Sequence, residues 1–100
     1  MRTYVSGKIT GLEIVIAKQL FQNAVVFLTL EFAHETINPF DLFTEEEERT
    51  FTWWQFMLRD LEHLSTCDAV YMLKNWKESR GARLEHAAAI ESDMVIIYEK

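Results

Sequence analysis

A chain of 100 residues with 49% hydrophobic side chains is one domain's worth of sequence, able to bury roughly 60–68% of its unfolded surface around a single core. Its formal charge of −6 argues against a binding surface for nucleic-acid polymers, where phosphate neutralisation needs a basic face. One cysteine excludes an intramolecular disulfide and, with no basic-then-apolar leader at the start, leads to the expectation of a cytoplasmic protein.

Arg2–Ser6 is predicted as the first strand, and residues 7–11, which hold Gly7 and Gly11, as the loop above it. Residues 13–32 form the first helix. The segment is apolar-rich, but Lys18, Gln19, Gln22 and Asn23 interrupt it, so it falls short of the ~20 mostly uncharged residues of a membrane span. It reads instead as a helix packed on both sides or against a partner subunit. Residues 35–38 are the second strand, stopped by Pro39, which cannot donate to a sheet ladder. Residues 44–65 are predicted as one continuous second helix, with Phe51, Trp54, Leu58 and Leu61 at helical spacing. Thr44 is its N-cap, Glu47 sits at the capping-box position, and the four glutamates from Glu45 to Glu48 suit a solvated helix start at the positive end of the dipole.

Cys67 reads as a small buried hydrophobe, and Asp68 as ordering the start of a third strand over residues 68–73. A third helix over residues 79–91 and a last strand over residues 94–98 complete the chain. Alternating strands and helices with continuously apolar strands imply a single α/β domain over residues 1–100. The expected architecture is a three-layer α/β/α sandwich, flavodoxin- or Rossmann-like, whose four-stranded parallel sheet has order 2-1-3-4.

In such a sheet, ligands bind beyond the carboxyl ends of the strands, where the strand order reverses. Here that point lies between the first and third strands, below the loops over residues 7–11 and 74–79. The second loop leads into a helix whose first N–H groups are free for an anion. Ser79 caps that helix; Gly81 opens its backbone, and Arg80 and Arg83, with Lys74 and Lys77 nearby, make a locally basic pocket on an acidic chain. This suits a small phosphorylated ligand better than a polymer. Glu85 lies six residues beyond Ser79, where a carboxylate faces a ligand anchored at the helix start, which points to a mononucleotide with an acidic group near its sugar.

Other residues leave two readings open. Tyr4 in a central strand is either core or sugar contact, and Gly7 serves either a tight turn or a close approach to ligand. Lys8 either contacts a phosphate or points to solvent. Trp76, in the loop over the crevice, either stacks on a base or packs against the second helix. Trp53 and Trp54 are adjacent, so one of them is free to face a subunit interface. His34, His63 and His86 have no metal-ligand spacing, and no zinc pattern, phosphate-binding Walker loop or dinucleotide fingerprint occurs. No metal and no cofactor are therefore expected.

Several of these segments together carry a resemblance. Tyr4-Val5-Ser6-Gly7-Lys8-Ile9-Thr10-Gly11, Ile37-Asn38-Pro39, Arg59-Asp60-Leu61, Cys67-Asp68-Ala69-Val70 and Ser79-Arg80-Gly81-Ala82-Arg83-Leu84-Glu85 occur in the order found in the nucleoside 2-deoxyribosyltransferase-like superfamily. The chain is most similar to a branch of short proteins common in phages and bacteria; Lys8 departs from the proline usual there. The resemblance implies an enzyme that cleaves the N-glycosidic bond of a nucleoside or nucleoside 5′-monophosphate, by hydrolysis or by transfer. Glu85 matches the nucleophile toward C1′, and Asp60 matches a residue that contacts the sugar or assists the acid–base steps. Tyr4 falls near the sugar, and Ser79 and Gly81 match the 5′-phosphate donors. The partners implied are a small nucleoside or nucleotide and further copies of the chain, as a homodimer or larger assembly. A non-catalytic nucleotide-binding module of the same fold is the alternative.

Overall fold

In the computed structural model, which describes residues 1–100, eight regular elements alternate along the chain. They are β1 (Arg2–Ser6), α1 (Ile14–Phe32), β2 (Glu35–Ile37), α2 (Glu45–Thr50), α3 (Trp53–Leu64), β3 (Ala69–Met72), α4 (Arg80–Glu91) and β4 (Val95–Tyr98). The sheet is parallel throughout with order β2-β1-β3-β4, as the sequence predicts. Tyr4 stands beside Ile37 on one side and Val70 on the other, and Val70 beside Ile96.

Because strand side chains alternate, the two central strands feed two cores. Tyr4, Val70 and Met72 meet Leu64 of α3 and Ala82 and Ala89 of α4 on one face. Val5, Tyr71 and Leu73 meet Phe21, Ala24 and Leu28 of α1 on the other. β1 and β3 are buried on both faces; β3 accordingly reads as an unbroken apolar run, while β1 carries the buried hydroxyls of Thr3 and Ser6. Asp68 does order the start of the third strand, accepting from the Arg2 N–H at 2.9 Å.

α1 runs 19 residues and ends at Ala33, whose left-handed backbone (φ 55°) lets its N–H bond to the Thr29 carbonyl while the His34 N–H bonds to Leu28. It is long and apolar enough to cross a bilayer, yet Ala17, Phe21, Ala24 and Leu28 are part of the core. After β2, Pro39 opens a single 3₁₀ turn, Pro39–Leu42, capped by Asn38.

The predicted continuous second helix is two helices. Phe51 and Thr52 are extended, and Thr52 starts α3 with its own capping box: the Gln55 N–H donates to Thr52 Oγ1 at 3.2 Å and the Thr52 N–H donates to Gln55 Oε1 at 2.7 Å. Thr44 and Glu47 form the expected box at the start of α2. The break turns Phe51 onto Phe43 and Phe56. Arg59 lies against the rings of Phe43 and Phe51 and holds Glu47 through two hydrogen bonds of 2.7 and 2.8 Å. Phe43, Phe51 and Phe56 meet edge-on, and the chain there bends around the mouth of a cavity.

Candidate functional site

That cavity, about 450 Å³, opens above the carboxyl ends of β1 and β3, where the strand order reverses. β1 places Tyr4 and Ser6 on its floor, since residues two apart share a face. α3 contributes Trp53, Met57 and Asp60 from one side. The first two turns of α4, with its cap, contribute Ser79, Arg80, Gly81 and Glu85 from the other. Phe40, Phe43 and Phe56 complete an aromatic wall.

Glu85 is buried and held at both of its carboxylate oxygens. It is 5% exposed; the Tyr4 hydroxyl donates to Oε2 and the Ser6 hydroxyl to Oε1, each at 2.6 Å. Burial pushes its carboxyl up to about 7 against those two hydroxyls, which pull the other way. Asp60 lies in the same floor with its Oδ1 buried and without a hydrogen-bond partner. Burial first, and the Glu85 charge second, push it up to about 8. Tyr4 sits between the two acids, and burial together with their charges holds its phenol well above the usual range. The three groups form one interacting set, and a carboxyl pair of this kind retains protons at a pH where ordinary carboxylates have lost them.

Across the cavity, α4 begins at Arg80 with Ser79 as its cap, and Ser79 Oγ accepts from the Ala82 N–H at 3.1 Å. The N–H groups of Arg80 and Gly81, in the first turn, have no intrahelical partner and remain available to an anion. Arg80 lies 5.1 Å from the centre of the Trp53 ring at the same rim. Gly81 packs against Met57, where an added Cβ would sit 3.1 Å from Sδ. Gly7 faces Leu73 so closely that a Cβ would lie 2.6–2.9 Å from its side-chain atoms, so this glycine serves close packing of strand against strand rather than a left-handed turn. Gly11 is the one with positive φ, at 92°. No group of three or more His, Cys, Asp or Glu side chains is arranged to hold a metal ion.

The model of the family described as a domain of unknown function, DUF4406, matches residues 1–98. The chain belongs to the DUF4406 family. No curated protein and no solved structure matches it.

Of the site residues expected from the sequence, this DUF4406 domain brings Tyr4, Gly7, Asp60, Ser79, Arg80, Gly81 and Glu85 together around one cavity. It leaves three outside. Trp76 lies in a 3₁₀ turn, Trp76–Glu78, that carries its ring beneath α4. There it stacks on His86 with centroids 4.1 Å apart, so it neither overhangs the crevice nor packs on the second helix. Arg83 is exposed and folds back to donate to the Lys77 carbonyl at 2.7 Å. The Lys8 ammonium pairs with Glu78 at 3.7 Å, while its N–H donates to Asn75 Oδ1, so the side chain is tied down rather than free in solvent.

Two features of the DUF4406 site escaped the sequence reading. Ser6 was legible, since two residues after Tyr4 on a strand means the same face. The aromatic wall was not: Phe40, Phe43, Trp53 and Phe56 come together only through the break after α2, itself signalled by the Thr52-x-x-Gln55 capping pattern.

Proposed function

We propose that this domain binds a nucleoside or nucleoside 5′-monophosphate and cleaves its N-glycosidic bond with Glu85 as nucleophile. The observation that carries the proposal is the convergence of the Glu85 and Asp60 carboxyls on one cavity floor, opposite the open helix start of α4. The resemblance to deoxyribosyltransferase-like enzymes supports the same assignment. A 5′-phosphate fits against the Arg80 and Gly81 N–H groups and the Arg80 guanidinium. The base fits the aromatic wall, and the sugar lies between, over Glu85.

The unequal hydrogen bonding of the two acids divides their roles. Two hydroxyl donors favour the ionised form of Glu85, while Asp60 Oδ1 has none and burial raises its carboxyl, so in this mechanism Asp60 carries the proton and Glu85 the charge. A Glu85 oxygen then bonds to C1′ as the bond from C1′ to the base nitrogen breaks, and Asp60 gives its proton to the departing base. Water or a second base attacks C1′ and loses a proton to Asp60, and the bond to Glu85 breaks with its electron pair returning to the carboxylate. Release to water is hydrolysis, and release to a base is transfer.

One observation favours the alternative of a non-catalytic nucleotide-binding module: Glu85 is almost wholly covered and both its oxygens are already engaged. Incubation with a panel of nucleosides and 5′-monophosphates, followed by chromatography of the free base, separates the two. Base release that Glu85→Ala abolishes supports the enzyme. Ligand binding by calorimetry without base release supports the module.

A further inference from the structure

We propose that the outward face of α1, with the exposed β4 edge of the sheet beside it, docks a second copy of this chain, α1 lying antiparallel to α1 about a twofold axis at Asn23. The first ground is the uneven covering of the sheet. Two helices, α3 and α4, cover one face, but the other carries α1 alone, which covers β2, β1 and β3 and leaves β4 at the edge. Beyond α1 on that face, Val95 is half exposed, and Phe27 leans over Tyr71 with ring centroids 5.9 Å apart.

The second ground is the pattern on α1 itself. Only Ala17, Phe21, Ala24 and Leu28 are buried, whereas Val15 and Leu30 are 74% and 77% exposed. A helix that is apolar nearly all round has a second surface to cover. Its exposed seam is symmetrical about Asn23: Leu20 and Val26 lie three residues to either side, Gln19 and Phe27 four, and Ile16 and Leu30 seven. A twofold interface requires this self-complementarity, because every contact from residue i to residue j is repeated from j to i. In the antiparallel pair Ile16 meets the partner's Leu30 and Leu20 the partner's Val26. A lone Asn in such a seam fixes its register.

Charge and area agree with this occupant. α1 carries only Lys18 and Glu31, and the register keeps like charges of the two copies about 15 Å or more apart along the axis, beyond the ~8–10 Å screening length. Closing the seam removes on the order of 1,000 Å² or more over the two copies, the scale of a stable interface. A bilayer surface is the poorer occupant, since membrane-lying helices present a lysine- and arginine-rich polar face and this chain carries −6.

Light scattering of the full chain at tens of micromolar should give twice 11.8 kDa. In a Cys67→Ser background, Asn23→Cys should form a disulfide-linked dimer under mild oxidation, and Gln22→Cys, on the flank, should not. A chain carrying Ile16→Lys and Leu30→Lys, and another carrying Ile16→Glu and Leu30→Glu, should each run as monomers with unchanged circular dichroism and dimerise when mixed. If either charged chain loses its fold, the Asn23 and Gln22 cross-links decide. An 11.8 kDa wild type, whether free or sedimenting with anionic vesicles, overturns the proposal. So do cross-linking at Gln22 equal to that at Asn23, and dimers that persist in both charged variants.

Discussion

Tyr4 and Ser6 leave β1 on the same side and end on opposite oxygens of one carboxylate, so a strand period of two residues becomes a clamp on Glu85. The clamp does not remove the cost of burying two acids together. Both folded-state values lie above the ordinary carboxylate range, so the folded chain binds protons that the unfolded chain has released. This contribution to stability is fully present below about pH 4 and is lost as pH rises through about 7 to 8. Asp60→Asn should therefore stabilise the fold at pH 8.5 by on the order of 1–3 kcal/mol and change it little at pH 4, measured as the wild-type-minus-variant difference in denaturant unfolding. The same variant should lose most of its base release, as expected of a functional acid held at the expense of stability. Gly7→Ala tests packing rather than chemistry. Its new methyl must displace Leu73, at about 1–3 kcal/mol in urea unfolding. At this scale Glu85 and Ser79 were legible from their spacing on a strand–loop–helix segment, whereas Asp60 was marked only by the resemblance. Trp76 was not, because its stacking on His86 depends on a three-residue turn that no local pattern announces.

The helices are set by their ends. Two threonine capping boxes in succession, at Thr44 and Thr52, convert one apolar-periodic stretch into two helices and pack Phe51 edge-on against Phe43 and Phe56, which line the cavity. Thr52→Ala should cost about 1 kcal/mol and loosen the aromatic wall, raising the Kd for a nucleoside monophosphate while leaving the strands intact. At the other end of α1, Ala33 occupies a left-handed conformation that glycine adopts without strain. Ala33→Gly should stabilise the fold by about 0.5–1 kcal/mol in thermal unfolding. The strands and the three main helices were readable from hydrophobic periodicity and from Pro39, and the strand order from the right-handed crossovers that join parallel strands. The interruption at Phe51 and Thr52 was outweighed by the helical spacing of Phe51, Trp54, Leu58 and Leu61, a competition in which the local cap prevailed.

For the whole molecule, the sheet order decides where chemistry can occur. β1 and β3 diverge into separate connections, and the crevice between them gathers groups from β1, α3 and α4 that are up to 81 residues apart in sequence. Under the proposed function the base lies against Trp53 and its neighbours, because Trp53 lines the cavity whereas Trp76 stacks on His86 outside it. Trp53→Ala should therefore weaken monophosphate binding about tenfold or more in calorimetry, and Trp76→Ala should leave it within about twofold. The most direct test of the account is mass spectrometry of the intact protein after incubation with a slow, fluorinated nucleoside or its 5′-monophosphate. The account predicts a mass increase of one sugar unit, mapped to the peptide holding Glu85 and absent from Glu85→Gln. A Glu85→Gln chain that releases base at the wild-type rate, or an adduct on any other residue, would contradict it.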